Sequence, residues 1–261
     1  MILYHGEPNG PSLAVLAALG ESGLAAECHP IDLLGGELHR LPGLSEPLAR
    51  DMAVEGEGPV LVIDGEAMTE SVFLAQYLDE AGAAAGTGTR LQPTDAYARW
   101  QVEMWCRRIT ERCAPAAACL ANRAWSAARL ADVGDFEAMV APIASADLAQ
   151  RWRNTRAGGE PEEVLADSRA KVAQAVKMVE DALADGREWL MGPVSIADFE
   201  TYGWLAGLVD LEPGAFADKP LTAAWLARVQ ARPSVQAALA RATTAQPEHS
   251  WAPGPEINRW G

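Results

Sequence analysis

Nowhere does this 261-residue chain carry the run of about 18 apolar residues that a membrane-spanning helix needs. Its first residues, Met1-Ile2-Leu3-Tyr4-His5, lack the basic and apolar portions of a secretory signal, so a soluble, cytoplasmic protein is expected. Cations are scarce. Against 36 Asp and Glu stand 21 Lys and Arg, a net charge of −15, with no basic block. Such a surface repels nucleic acid and anionic membrane, and neither is an expected partner. It repels small anions too, so any anion site has to be local, built from backbone N–H groups at a helix N-terminus or from a few placed cations. The four cysteines, Cys28, Cys106, Cys113 and Cys119, form no CxxC pair, so no metal site is expected. Cys106, Ile109 and Cys113 share one helical stripe and read as small core residues in a reducing compartment.

What is present is an ordinary globular composition, 49% hydrophobic and 22% charged, on a length that suits one large domain or two modest ones. Residues 1–84 read as mixed α/β. Ile2-Leu3-Tyr4 is a short strand, and the turn-rich Gly6 to Pro11 leads to a helix opened by Ser12. Glu27 to Ile31 suits a second strand, and residues 35–58 an irregular connection with a short helix. The β-branched Pro59 to Ile63, the Asp64-Gly65 turn and Glu66-Ala67-Met68 form a hairpin, after which Thr69-Glu70-Ser71 enters another helix. This order is the pattern of a thioredoxin-like domain.

The Gly-rich stretch 85–93 reads as a linker, 94–243 as a helical domain and 244–261 as an irregular tail. Within the helical half, Ala96, Trp100 and Met104 keep helical spacing, Val172, Val176, Val179 and Leu183 form a second stripe, and Trp225, Leu226 and Val229 lie in a last helix. Ser195-Ile196-Ala197-Asp198 is a capping box, with Val194 and Phe199 as its hydrophobic staple.

Taken in order, the α/β half, Gly58-Pro59 before the hairpin, Glu70-Ser71 after it, the Ser-Ile-Ala-Asp-Phe cap and the closing Ala-Arg-Pro-Ser-Val resemble the glutathione transferase superfamily over most of the chain. The stretch from Arg151-Trp152-Arg153 through Gly158-Gly159 to Ser195 is similar to the bacterial lignin β-etherases. The resemblance implies an N-terminal thioredoxin-like domain that holds glutathione as co-substrate and a helical bundle that shapes the pocket of an aromatic electrophile. It implies cleavage of β-aryl ethers in lignin-derived aromatics by glutathione. Dehalogenation, isomerisation or thioether lysis on the same scaffold is the alternative chemistry, and a non-catalytic partner subunit is the alternative class. A homodimer is the implied assembly, and a heterodimer with a related transferase the alternative.

The resemblance also implies roles. Pro59 occupies the family's cis-proline position, with Gly58 offering backbone to the glutathione cysteinyl unit; a trans proline opening a strand is the competing reading. Glu70 meets the γ-glutamyl ammonium and Ser71 the carboxylate, unless the pair is a plain helix cap. His39 joins the glutathione-binding set. Ser12, at the start of the first helix, is the candidate to meet the thiol or else an N-cap with no further task, and Asn9 is the fallback donor. Trp100, Met104 and Trp105, with Trp125 and Trp152, line an aromatic substrate site or pack as core. The chain departs from the pattern at Pro11 beside the serine, at Gly58 before the proline and at Ala53-Val54 for Asn-Pro, and the first two favour the partner-subunit alternative.

Overall fold

The computed structural model describes residues 1–44 and 57–254, so Ala53-Val54 and the end of the tail lie outside the described residues. Four short strands, β1 (Ile2–His5), β2 (Glu27–Pro30), β3 (Val60–Ile63) and β4 (Glu66–Met68), form one sheet in the order β2-β1-β3-β4. β1 runs parallel to β2, with Leu3 opposite Cys28, and antiparallel to β3, with Leu3 opposite Leu61. The hairpin between β3 and β4 turns on Asp64 (φ 52°) and Gly65 (φ 86°), the left-handed pair that a two-residue turn requires.

Helix α1 (Gly10–Ser22) crosses from β1 to β2, and α2 (Ser71–Ala85) follows the hairpin. α1 is buried along nearly its whole length because it packs on α2 from one side and on the helical half from the other. A parallel β1-α1-β2 unit beside an antiparallel hairpin is the thioredoxin-like arrangement that the element order predicted. One correction concerns Pro59. Every peptide bond among the described residues is trans, Gly58–Pro59 included. Pro59 stands just before β3, at a strand start where its missing N–H takes nothing from the ladder.

The remainder is helical. One rod runs from α3 (Ala96–Arg108) through a π turn (Ile109–Cys113) into α4 (Ala114–Ala121), a second π turn (Asn122–Ser126) and α5 (Ala127–Ala131). Pro115 explains the first π turn: it has no N–H for the carbonyl four residues back, so the helix widens just before it. Cys106, Ile109 and Cys113 are buried together as expected, and burial raises both thiols, that of Cys113 to about 12. Then follow α6 (Phe136–Val140), α7 (Ala146–Arg156), α8 (Glu162–Leu183), α9 (Ile196–Leu205), α10 (Pro213–Phe216), α11 (Pro220–Gln230) and α12 (Pro233–Leu239). The largest core cluster is shared by both halves, from Leu3 and Leu61 to Val172, Trp204 and Trp225.

The capping box is present at α9, and its acid does more than cap. Asp198 is fully buried; one oxygen accepts from the Ser195 N–H (2.9 Å) and the other from the Leu190 N–H (3.0 Å) and Trp225 Nε1 (2.9 Å). Removing that carboxylate orphans these three buried donors and the Ser195 hydroxyl, which also donates to it at 3.2 Å, whereas removing the Ser195 hydroxyl loses only its own two bonds within the cap. Urea denaturation is expected to show Asp198→Ala costing about 3 kcal/mol or more and Ser195→Ala only about 1 kcal/mol. Equal losses would contradict the distinction.

Candidate active site

The site is built where the N-terminus of α1 meets α9. Gly10 enters α1 at φ 47°, a backbone conformation open mainly to glycine, and its carbonyl lies so close to Gly203 of α9 that a Cβ there would approach to 2.4 Å. This contact fixes the first turn of α1, and with it Ser12. The helix begins at Gly10, so Asn9 holds the N-cap position and Ser12 lies inside the turn; the reading of Ser12 as N-cap is corrected. Ser12 is buried, its Oγ accepts from the Gly6 N–H at 3.0 Å, and it lines a small cleft with Pro11, Leu33, Glu57, Trp204 and Trp251.

The tail closes this cleft. The Asn9 amide, expected to face a thiol, instead donates to the carbonyls of Pro247 and of Ser250 (3.0 Å). Further along, Ser126 in the second π turn donates to the Trp251 carbonyl, and Arg151 donates to that of Gly254 at 2.8 Å. His249 stacks on Trp125 and Trp251 tilts against Trp204, with centroids 4.3 and 5.7 Å apart. The aromatic wall therefore differs from the predicted one. Trp100 is half exposed and stacks on Tyr97, Trp105 is buried with its indole on Thr201 (2.9 Å), and Met104 stands on α3 away from the cleft lining. Trp204 and Trp251, which sequence reasoning missed, take their place.

His39 is buried and paired with a carboxylate. Its Nε2 lies 2.6 Å from Glu57 Oε1, which also accepts from the Trp152 indole at 2.8 Å, and among the described residues Glu57 Oε2 has no partner. At the head of α2, Glu70 adopts φ 69°, a left-handed strain that non-glycine residues keep chiefly at functional positions. Ser71 beside it is buried, and its hydroxyl donates to Glu200 Oε2 of α9 at 2.8 Å. The other Glu200 oxygen accepts from Trp204 Nε1 at 2.6 Å. Burial pushes the Glu200 carboxyl up to about 7; these two hydrogen bonds pull it down, and the charge of Glu70 adds to the rise. Sequence reasoning missed Glu200 as well, although an acid set among Phe199, Tyr202, Trp204 and Leu205 was the available signal. Among the described residues no group of three His, Cys, Asp or Glu could hold a metal ion, and no helix is long and apolar enough to cross a membrane.

If the Asn9 amide anchors the tail, Asn9→Ala removes two hydrogen bonds and loosens the strap. Hydrogen exchange at residues 247–251 is expected to quicken by roughly ten- to a hundredfold while α1 keeps its protection. Unchanged exchange would contradict the anchoring.

Comparison with known proteins bears on both halves. The family profile for the glutathione S-transferase N-terminal domain matches residues 11–86, and that for the C-terminal domain matches residues 135–233. Protein LigF of Sphingobium sp. (strain NBRC 103272 / SYK-6) is 28% identical over 250 residues, covering 90% of this chain and 91% of that protein. The crystal structure of the β-etherase LigF from Sphingobium sp. strain SYK-6 superposes with a TM-score of 0.81 at 25% identity, over 92% of this chain and 99% of that one. Glutathione transferase F7 of Populus trichocarpa shares the fold at a TM-score of 0.63 and 23% identity, over 91% of this chain and 98% of that one. A four-stranded sheet with α1 and α2, followed by helices, and a match of both family domains in that order make the chain a member of the glutathione S-transferase family.

Proposed function

We propose that the chain is a cytoplasmic glutathione-dependent transferase of aromatic electrophiles, and that its reaction is the cleavage of β-aryl ethers of the kind found in lignin. One observation carries the reading. In a chain similar to LigF over nine-tenths of its length, the buried Ser12 hydroxyl in the first turn of α1 faces a cleft walled by Trp204 and Trp251. The residues fit a tripeptide thiol of this kind. The head of α2 offers backbone N–H groups and helix-dipole charge to a carboxylate, and Glu70 supplies a negative partner for an ammonium.

Glutathione supplies a thiolate that forms a thioether with the ether-bearing carbon as the carbon–oxygen bond breaks and a phenolate leaves. The chain's own part is to favour and aim that thiolate. The α1 N-terminus and the Ser12 hydroxyl stabilise negative charge at the thiol, and the indoles hold the arene in a dry wall. Ser71 and Glu70 hold the γ-glutamyl end. His39 and Gly58 are kept as glutathione contacts, His39 by exchanging its Glu57 partner for the ligand. Two chains assemble through the exposed Phe73, Tyr97 and Trp100 of α2 and α3, which are 62%, 66% and 50% accessible in the single chain. The closure of the cleft by the tail favours a second reading, a partner subunit of a heterodimeric transferase.

Calorimetric titration with glutathione and turnover of an aryl-ether panel test this. The expected result is measurable binding and release of a phenol with a glutathione thioether, with Ser12→Ala slowing turnover about a hundredfold at little cost in binding. Absence of glutathione binding would overturn the transferase reading. Binding without cleavage of any ether would overturn the β-etherase assignment.

A further inference from the structure

Ser71 is asked to do two things at once. Its hydroxyl has one proton, which it donates to Glu200 Oε2, 2.8 Å away. In this state the Ser71 oxygen can accept but cannot donate to an incoming carboxylate. The arrangement reverses when Glu200 carries a proton. The neutral acid then donates to the Ser71 oxygen, and the Ser71 proton is released toward the ligand.

Resting on the reading of Ser71 as the γ-glutamyl site, we propose that binding of the glutathione α-carboxylate there is coupled to uptake of a proton by Glu200, so that the buried acid delivers a hydrogen bond to the ligand through the serine. Glu200 is a positioning residue. It acts on the ligand only through Ser71, and through Trp204 it also steadies the wall of the cleft.

The surroundings favour this coupling. Glu200 is fully buried, and its two bonds come from neutral donors; among the described residues it has no cationic partner. From the α2 side Glu70 faces it as a carboxylate, on its own helix stands Asp198, and from α3 and the first π turn come the thiols Cys106 and Cys113, whose own rise it contributes to. The charges on the other packed helices are spent elsewhere: Asp79 of α2 on Arg90, Glu21 of α1 on Arg232, and Arg228 of α11 on the Glu188 carbonyl. A ligand carboxylate brought to Ser71 adds one more negative charge beside a desolvated acid, which raises its proton affinity again. With the free carboxyl already pushed by burial to about 7, uptake falls in the neutral and mildly alkaline range.

The test is calorimetry with S-methylglutathione, whose capped thiol cannot release a proton of its own. Titrations run about one pH unit above 7 in buffers of different ionisation enthalpy give the proton count from the slope of observed heat against buffer heat. The wild-type chain is expected to take up a fraction of a proton approaching one per site, and its affinity to fall with rising pH by up to about tenfold per unit. Glu200→Gln, which keeps shape and can donate to Ser71 without titrating, is expected to bind with no uptake and a flat pH dependence. Ser71→Ala leaves Glu200 in place and breaks the link, and it too is expected to lose the uptake. Binding by the wild type with zero slope, or uptake that persists in both variants, would overturn the coupling while leaving the glutathione reading intact. No binding of S-methylglutathione at all would overturn both.

Discussion

The contact on which the rest depends is between backbones, where Gly10 at the start of α1 meets Gly203 in α9. A Cβ on Gly203 would come within 2.4 Å of the Gly10 carbonyl, so the two halves approach as closely here as chains can. That approach lets α1 be buried on both sides, against the sheet domain's own α2 and against α9 and α12. It also aims the N-terminal turn of α1, with Ser12, at the indoles of Trp204 and Trp251. The dipole of α1, the hydroxyl and the aromatic wall converge because one side chain is missing.

The polar groups inside follow a common device. Buried carboxylates are costly unless donors meet them. Here three indoles do so: Trp152 for Glu57, Trp204 for Glu200 and Trp225 for Asp198. A tryptophan contributes apolar area to the core and one directed N–H to the acid, which suits an acidic chain with few cations to spend inside. The acids so held differ in consequence. Asp198 divides its two oxygens between the cap and the Leu190 and Trp225 donors, Glu57 keeps one oxygen beside the cleft unpartnered among the described residues, and Glu200 reaches across to Ser71.

The element order was legible in the sequence because it rests on short-range signals. The β-branched run before Asp64-Gly65 specifies a hairpin, and Ser195 with Asp198 specifies a helix start, whatever surrounds them. The walls of the cleft were not legible, because they are made by residues far apart in the chain. Asn9 finds its partners at Pro247 and Ser250, and Ser126 finds Trp251, pairings that no local period encodes. The aromatic spacing of Trp100, Met104 and Trp105 reported a helix correctly, but spacing says nothing about which face meets a ligand. Pro59 shows the same limit, since its place before β3 was readable and its trans bond was not.

The most direct measurement is on Gly203→Ala, a change of one methyl group where α9 meets the Gly10 carbonyl. If the close contact positions the site, the variant keeps its helical circular dichroism but melts earlier, and its affinity for S-methylglutathione falls about tenfold or more because the α1 turn is pushed away from α9. An alanine variant with the wild-type melting temperature and undiminished affinity would contradict the account.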